Sequence, residues 1–160
     1  MPAERAGHDQ TGCISGGVAM AEVYCAEHKL QLTPVRRRVL ELLLEENRAI
    51  RAYEILDRLK QEGRGSQPPM AYRALEFLMT HGFVHRIERL NAYVACGHPG
   101  ESHKPAFMVC RICSSVAETV TMPSSGLLVS AARKAGFRLE DTIVEAIGVC
   151  PACIARGAVQ

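Results

Sequence analysis

A short segment in the second half of the chain carries an unusual density of metal-binding side chains. Between Cys96 and Glu118 it holds three cysteines, two histidines and two glutamates. Cysteine sulfur and histidine nitrogen are preferred zinc ligands, and carboxylate oxygen completes many zinc sites. The chain offers no nucleophile triad, no pair of catalytic carboxylates and no phosphate-binding loop. The segment therefore predicts metal binding, and an enzyme is not expected.

Four of the cysteines form two C-x-x-C pairs, Cys110 with Cys113 and Cys150 with Cys153. Each pair presents two thiolates on one tight turn, and two such pairs suit one tetrahedral zinc ion. The 36 residues between the pairs can hold a strand, a helix and a strand whose ends return to one place. The pattern favours a structural zinc site over a redox disulfide pair or an iron–sulfur cluster.

Five further donors exceed the need of a four-thiolate site: Cys96, His98, Glu101, His103 and Glu118. From this surplus, Cys96, His103 and Glu118 offer one sulfur, one nitrogen and one oxygen donor for a second metal ion. His85 precedes them in the chain and could add a fourth ligand. On residue type alone, the other two members of the surplus are equally available. Taken singly, each candidate also fits a structural role as a surface histidine, a buried thiol or a solvated carboxylate.

The composition favours a reduced, cytoplasmic protein. The 160 residues contain no apolar run near the roughly 18 residues of a membrane span, so no membrane partner is expected. The polar, glycine-rich N-terminus lacks the hydrophobic block of a signal peptide. Seven cysteines, an odd number that includes paired C-x-x-C spacing, indicate metal ligands rather than a secreted disulfide scaffold.

The N-terminal half predicts four helices followed by a β-hairpin. Helical periodicity and proline entries define a helix ending near Lys29, helices starting at Pro34, Ala52 and Pro68, and hairpin strands at 83–88 and 92–96. This order is typical of a winged helix-turn-helix, in which the last helix before the hairpin enters the major groove of DNA. Small helical domains with a hairpin but no DNA-binding activity share the pattern.

The charge distribution leaves the role of three arginines open. The formal net charge is only +2, and the excess of cations lies within residues 16–93. Arg36, Arg37 and Arg38 are consecutive, so their side chains point around a helix rather than along one face. They could form a solvated helix start or contact phosphate groups, and the sequence favours neither.

The C-terminal third predicts a small β-β-α-β unit after a break in composition at Gly97–Lys104, which is rich in glycine, proline and histidine. Strands are expected at 107–110, 115–122 and 139–149, with a helix over 126–135. Four apolar residues of that helix are expected to face inward: Leu127, Leu128, Ala131 and Ala135. A unit of about 55 residues usually needs a metal, a partner subunit or both. Zinc and a homodimer are therefore expected.

These elements predict an α+β protein with an N-terminal winged helix-turn-helix domain and a small α/β dimerisation domain that holds a structural zinc. The expected divisions are a disordered N-terminal tail (1–15), a winged-helix DNA-binding domain (16–96), a hinge (97–106) and a dimerisation and metal-binding domain (107–160).

From about Val18 to Cys153 the order of parts resembles the ferric uptake regulator (Fur) family of metal-sensing bacterial repressors. The segments that carry the resemblance are LTPVRRRVLELL (32–43), AYEILDRL (52–59), PPMAYRALEFLMTHGFVHRIE (68–88), the two C-x-x-C pairs and VEAIGVC (144–150). GFVHRIE, NAYVAC and a histidine seven residues before Cys110 are similar to the zinc uptake regulators of that family.

The resemblance implies a ligand set for the second metal site: His85, Cys96, His103 and Glu118. It also implies DNA contacts by Tyr53 and, on the recognition helix, by Tyr72 and Arg73. An arginine at this place suits a bidentate contact with guanine. Met70 is a departure, since relatives carry a threonine there, and it affects the expected operator preference.

The resemblance thus implies a zinc-responsive transcriptional repressor with two Zn²⁺ ions per monomer, which binds palindromic operator DNA as a homodimer and controls zinc-uptake genes. An iron, manganese or peroxide sensor of the same family is the first alternative, but the Cys96 thiolate shifts the preference toward zinc. A thiol redox protein is the second, and it would need an exposed cysteine with a low pKa.

Overall fold

The computed structural model describes residues 10–46, 48–64, 67–101, 103–119 and 125–158. Its helices are α1 (Gln10–Glu27), α2 (Pro34–Glu45), α3 (Ala52–Gln61), α4 (Pro68–Thr80), α5 (Ser125–Lys134) and α6 (Pro151–Ala155). Its strands are β1 (Ile50–Arg51), β2 (Val84–Ile87), β3 (Ala92–Ala95), β4 (Ala106–Cys110), β5 (Val116–Thr119) and β6 (Val144–Gly148). A 3₁₀ turn at Glu88–Leu90, here called the wing turn, joins β2 to β3. Within the described ranges, every helix is too short or too polar to span a bilayer.

The first four helices pack around one apolar core, which a three-stranded sheet of order β1-β3-β2 borders. Leu42 of α2, Ile55 of α3 and Leu75 of α4 are fully buried in it. This confirms the predicted helical domain with a β-wing. Strand β1 pairs antiparallel with β3 and is not predicted, because two residues are too few to show a periodicity.

Local interactions set where α2 begins and how the chain reverses between β2 and β3. Thr33 Oγ1 accepts the N–H of Arg36 at 3.4 Å, so α2 begins as the Thr-Pro signal predicts. Asn91 ends the wing turn with a φ of +46°, a left-handed conformation that asparagine tolerates. The chain thereby reverses from β2 into β3, and the Cys96 N–H donates to the carbonyl of Phe83 at 2.9 Å.

Helix α1 begins earlier than the sequence predicts. A disordered tail is expected through residue 15, but the helix begins at Gln10, and residues 1–9 lie outside the described ranges. Gly17 lies inside this helix, and a β-carbon there would lie 2.8 Å from Cδ1 of Leu44. Glycine at this position allows α1 to approach α2 closely and does not end the helix.

The C-terminal half contains a three-stranded sheet of order β5-β4-β6, in which β4 is antiparallel to β5 and parallel to β6. The fold confirms the predicted α/β unit. The strand expected over 139–149 is shorter, at Val144–Gly148, and is followed by the short helix α6 with Pro151 at its first position. That helix is not predicted because its five residues are too few to show a helical repeat.

The expected inward face of α5 is wrong within the single chain. Leu127 and Leu128 are 79% and 49% exposed, and Ala131 and Ala135 are exposed as well. Helical periodicity identifies an apolar stripe but does not identify the surface that covers it. The stripe therefore gives no evidence of a core within one chain.

A small apolar cluster joins the two halves of the chain. Ile87 of β2 and Ala92 of β3 pack with Phe107 and Val109 of β4, and all four are buried. The segment between β3 and β4 therefore connects two halves that also touch directly.

Candidate metal centres and nucleic-acid interface

The four cysteines of the C-x-x-C pairs converge at one end of the C-terminal sheet. Cys110 ends β4, Cys113 lies in the following turn, and Cys150 and Cys153 lie at the start of α6. Their sulfur atoms are within 4.8 Å of one another, with 3.6 Å between the Sγ atoms of Cys113 and Cys150. All four are thiols and not disulfides. Four sulfur donors at this separation fit one tetrahedral zinc ion.

The surroundings of these sulfur atoms shift the pKa values of Cys110 and Cys153 in opposite directions. Backbone N–H groups of Cys113 and Cys150 point at the sulfur of Cys110 and lower the pKa of that thiol to about 6. Burial raises the pKa of Cys153 to about 12. Since zinc binds thiolates, metal binding would release the protons that remain in this cluster. A redox-active thiol needs both a low pKa and exposure. Cys110 is buried, whereas Cys150 is half-buried and its pKa is also lowered, chiefly by the backbone N–H of Cys153.

A second cluster takes its four donors from the N-terminal half, the connecting segment and the C-terminal sheet. His85 lies on β2, Cys96 follows β3, His103 lies in the connecting segment, and Glu118 lies on β5. Their donor atoms are within 4.8 Å of one another. Oε1 of Glu118 is 2.7 Å from His103 Nε2, 3.7 Å from His85 Nε2 and 3.9 Å from Cys96 Sγ. The structure therefore brings together the four residues that the family resemblance implies.

Backbone groups orient two of these side chains. The N–H of Gly97 donates to Oε2 of Glu118 at 2.7 Å, which leaves Oε1 facing the other donors. Nδ1 of His103 lies 2.8 Å from the carbonyl oxygen of Glu101, so Nδ1 carries a proton and Nε2 faces the cluster. Contacts of this kind fix the tautomer and the ring orientation of metal-binding histidines.

The two remaining candidates from the surplus occupy the rim. The side chain of His98 is 46% exposed, with Nδ1 4.0 Å from Oε1 of Glu118, and its backbone N–H donates to Sγ of Cys96 at 3.4 Å. Glu101 contributes its backbone carbonyl oxygen, which accepts the hydrogen bond from Nδ1 of His103. Residue type does not distinguish these two from the four convergent donors, but the fold does.

One nitrogen atom tests whether the second cluster suits a metal ion. Among the described residues, Nε2 of His85 is the buried side-chain nitrogen or oxygen atom that lacks a hydrogen-bond partner. Burial lowers the pKa of His85, so the ring is neutral and can act as a ligand. A buried polar atom without a partner is costly, and a bound metal ion would satisfy it.

Two of the donor separations in this cluster match those of a tetrahedral zinc site. Zinc–ligand bonds of about 2.0–2.3 Å place the ligands of a tetrahedral ion roughly 3.3–3.8 Å apart. Cys96 Sγ to His103 Nε2 is 3.6 Å, and His85 Nε2 to Glu118 Oε1 is 3.7 Å. Burial alone would lower the pKa of His103, but its hydrogen bonds to Glu101 and Glu118 outweigh burial and raise it. A shared ion would replace the proton between His103 and Glu118.

The three residues predicted to contact DNA reach solvent on α3 and α4. Tyr53 and Tyr72 are 57% and 52% exposed, and Arg73 is exposed beside them. Ala71 and Leu75 bury the opposite face of α4 in the N-terminal core. An exposed arginine on the first turns of such a helix suits the reading of base edges in a major groove.

A sequence model described as the ferric uptake regulator family matches residues 27–147. The chain belongs to the ferric uptake regulator family. Among proteins of this family it is similar to the Zinc uptake regulation protein of Escherichia coli (strain K12), with 38% identity over 138 residues. The alignment covers 86% of this chain and 81% of that protein, and a protein of the same name from Shigella flexneri gives the same values.

Solved structures of Fur-family proteins give a graded comparison. A zinc uptake regulator complexed with zinc and DNA has a TM-score of 0.84 at 37% identity, covering 91% of this chain and 98% of its own. Holo XcZur has a TM-score of 0.76 at 38% identity, covering 86% and 96%. Apo XcZur has a TM-score of only 0.51 at 37% identity, covering 89% and 99%. At nearly equal identity, this Fur-family chain resembles the holo form more than the apo form.

The three consecutive arginines of this Fur-family chain are engaged within the protein. The guanidinium carbon of Arg36 lies 3.7 Å from the centroid of the Phe77 ring. Arg37 and Arg38 pair with four glutamates: Glu22, Glu41, Glu45 and Glu62. The hydrogen bond with Glu62 is the largest of the effects that raise the pKa of Arg38. All three cations therefore have partners within the protein.

Sequence reasoning missed the backbone partners of the second cluster and one contact between the halves. The N–H of Gly97 and the carbonyl of Glu101 have no residue-type signal, because every residue carries these groups. Glu145 of β6 contacts the wing turn, 56 residues before it in the chain, and a single carboxylate in a strand pattern does not reveal such a partner.

Proposed function

We propose that this Fur-family protein is a zinc-responsive transcriptional repressor that binds palindromic operator DNA as a zinc-loaded homodimer in the cytoplasm. Its targets are genes for zinc uptake. Two zinc ions bind each monomer, a structural one held by the four C-x-x-C cysteines and a sensing one held by the second cluster: His85, Cys96, His103 and Glu118.

The origin of the four convergent donors is the observation that carries this proposal. His85 and Cys96 belong to the winged-helix half, whereas Glu118 belongs to the C-terminal sheet, and their donor atoms lie within 4.8 Å of one another. An ion shared by these residues ties the orientation of the two halves to the presence of zinc. Zinc binding thereby sets the relative orientation of the two halves, and the affinity for DNA depends on that orientation.

Comparison with relatives supports the same link. A relative complexed with zinc and DNA has the higher TM-score of 0.84, and the apo form of XcZur has the lower one of 0.51. The arrangement described here is therefore the one that we assign to the DNA-binding state. Moving a two-state equilibrium from 1:99 to 99:1 needs about 5.5 kcal/mol of differential binding, which is a fraction of the roughly 10–16 kcal/mol of total binding free energy of zinc sites with thiolate and imidazole ligands.

The donor set also supports zinc over manganese. Cys96 offers a soft thiolate, while His85 and His103 offer imidazole nitrogen. This mixture suits zinc better than manganese, which prefers oxygen ligands. A protein that lost operator binding on oxidation, or gained it with iron or manganese alone, would instead be a peroxide, iron or manganese sensor.

Exposed apolar side chains support the homodimer. Leu127 and Leu128 on α5, Met108 on β4 and Ile147 on β6 are all at least 41% exposed in the single chain. Large exposed apolar surface is typical of a subunit interface. We propose that this surface is buried between two copies, which would hold two recognition helices at the spacing of a palindrome.

Metal content measured together with DNA binding tests the proposal. Zinc per chain is determined before and after mild chelation, and each sample is titrated with a duplex that the zinc-loaded protein has selected from a random library. We expect two zinc ions to fall to one, with DNA binding lost and then restored by zinc alone. One zinc throughout, with DNA binding indifferent to it, would refute zinc sensing.

A pair of cysteine variants sharpens this test. Cys96→Ser should retain the dimer and one zinc but lose zinc-dependent DNA binding, because a hydroxyl is a poor substitute for a thiolate ligand. Cys25→Ala is the matched control, since Cys25 is buried in the core on α1, away from both clusters. The control should retain two zinc ions and the zinc response.

A further inference from the structure

A row of three side chains crosses the C-terminal sheet on one face. Phe107 of β4 is in register with Glu118 of β5 on one side and with Glu145 of β6 on the other. Residues in register on neighbouring strands project from the same face of a sheet. The row therefore presents a carboxylate, an aromatic ring and a second carboxylate toward the winged-helix half.

Each member of the row contacts the winged-helix half differently. Glu118 approaches the donor atoms of the sensing cluster and accepts the N–H of Gly97. Phe107 packs against Ile87 in the apolar cluster between the halves. Glu145, at the other end, contacts the wing turn, so the two carboxylates hold opposite ends of one interface.

The contact made by Glu145 uses both of its carboxylate oxygens. Oε1 accepts the N–H of Glu88 at 2.6 Å, and Oε2 accepts the N–H of Arg89 at 3.1 Å. These are the first two residues of the 3₁₀ turn, whose N–H groups have no partner within the turn itself. Hydrogen bonds to an ionised acceptor are stronger than neutral ones. No metal ligand takes part in this contact.

We propose that Glu145 is a positioning residue for operator binding, a second anchor that sets the orientation of the winged-helix domain together with the sensing site. This inference rests on the proposed function. The apolar cluster between the halves is non-directional, so a single polar anchor beside it still permits rotation about that anchor. A second anchor two strands away, about 10 Å across the sheet, removes that freedom.

The two anchors differ in what controls them. The end at Glu118 combines the Gly97 hydrogen bond with the proposed metal site, whereas the end at Glu145 is held by hydrogen bonds alone. Loss of the Glu145 anchor shifts the population away from the arrangement that binds DNA, even when zinc is saturating. Because zinc binds this arrangement preferentially, the zinc affinity of the sensing site falls as well.

The test compares the full-length variants Glu145→Ala and Glu140→Ala. Glu140 is an exposed glutamate of the same half and serves as the matched control. For Glu145→Ala we expect two zinc ions per chain, faster hydrogen exchange at the amides of Glu88 and Arg89, and about tenfold weaker binding of the selected duplex at saturating zinc. Tenfold corresponds to roughly 1.4 kcal/mol. Competition with a chelator should show weaker zinc binding at the sensing site, and the control should match wild type in every assay.

A second variant removes the donor instead of the acceptor. Proline at position 88 deletes one of the two N–H donors, and Ile87 already has the extended conformation that precedes proline readily, with φ −94° and ψ 104°. Glu88→Ala is its control, because it removes the same side chain and keeps the N–H. If the two groups act as one contact, Glu88→Pro combined with Glu145→Ala binds the duplex no more weakly than Glu145→Ala alone.

Contrary results are distinguishable from failure of the proposed function. The anchor is refuted if Glu145→Ala matches Glu140→Ala in both duplex affinity and sensing-site zinc affinity, or if the two losses in the double variant simply add. If the wild-type protein selects no duplex, the proposed function fails. Amide exchange and zinc affinity then decide the anchor: changes in both support it, and unchanged values overturn it.

Discussion

At the scale of single residues, the charge and the shape of the Arg73 side chain make separable contributions to the proposed DNA contact. The residue is exposed on α4 next to Tyr72. A guanidinium can donate two hydrogen bonds to the edge of one guanine, whereas an ammonium group keeps the charge but not the planar fork. Substitution at this one position can therefore separate base recognition from phosphate attraction.

We predict that Arg73→Lys lowers discrimination against a duplex with an altered guanine by about 1–3 kcal/mol and leaves the salt dependence of binding nearly unchanged. Arg73→Ala should lose the discrimination and also reduce the salt slope by about 1. Anisotropy titrations at several salt concentrations, with the selected and altered duplexes, measure both effects. Wild-type discrimination by Arg73→Lys would show that this residue does not read a base.

Residue patterns identify the two proposed metal sites unequally well. The spacing of Cys110 and Cys113 indicates shared ligation directly, because a C-x-x-C turn holds two sulfur atoms close together. No comparable spacing links His85 to Glu118, which lie on strands of different sheets. Residue type alone therefore leaves His98 as available as His103, and the family resemblance or the fold is needed to separate them.

At the scale of elements, the exposed stripe of α5 is the clearest sign of a partner. Leu127 is the most exposed of the large hydrophobic residues described. The sequence correctly predicts the helix but wrongly assigns its apolar face to the core of the single chain. Amphipathic periodicity is the same for a helix that packs on its own sheet and for one that packs on a second copy.

We predict that Leu127→Glu raises the dissociation constant of the dimer at least tenfold, because a carboxylate buried in an apolar interface is costly. Ser130→Glu is the matched control, since it adds the same charge at an exposed polar position of the same helix. Sedimentation equilibrium of the zinc-loaded proteins measures the effect. An unchanged dimer in Leu127→Glu would show that another surface joins the copies.

Elements with strong end signals are predicted more reliably than those defined by tertiary contact. Thr33 and Pro34 predict the start of α2, and the structure confirms it. The polar, glycine-rich N-terminus predicts a disordered tail, but Gly17 lies inside α1, where its missing side chain makes room for Leu44. Local chemistry determines the first case, and packing against a distant helix determines the second.

At the scale of the whole molecule, zinc and DNA are proposed to act on one domain arrangement. The apolar cluster, the sensing cluster and the Glu145 contact all lie between the same two halves. Ligands that favour the same arrangement help each other bind, and the help is equal in both directions. The affinity of the sensing site for zinc must therefore depend on operator DNA.

We predict that saturating operator DNA raises the zinc affinity of the sensing site by the same factor by which zinc raises operator affinity. Competition with a chelator, with and without the selected duplex, measures the first factor, and duplex titrations with and without sensing-site zinc measure the second. A duplex of equal length with a scrambled half-site controls for general electrostatic attraction. A coupling of 1–3 kcal/mol corresponds to roughly 5–150-fold in each measurement. If neither ligand changes the affinity for the other, zinc and operator DNA do not act on the shared arrangement proposed here.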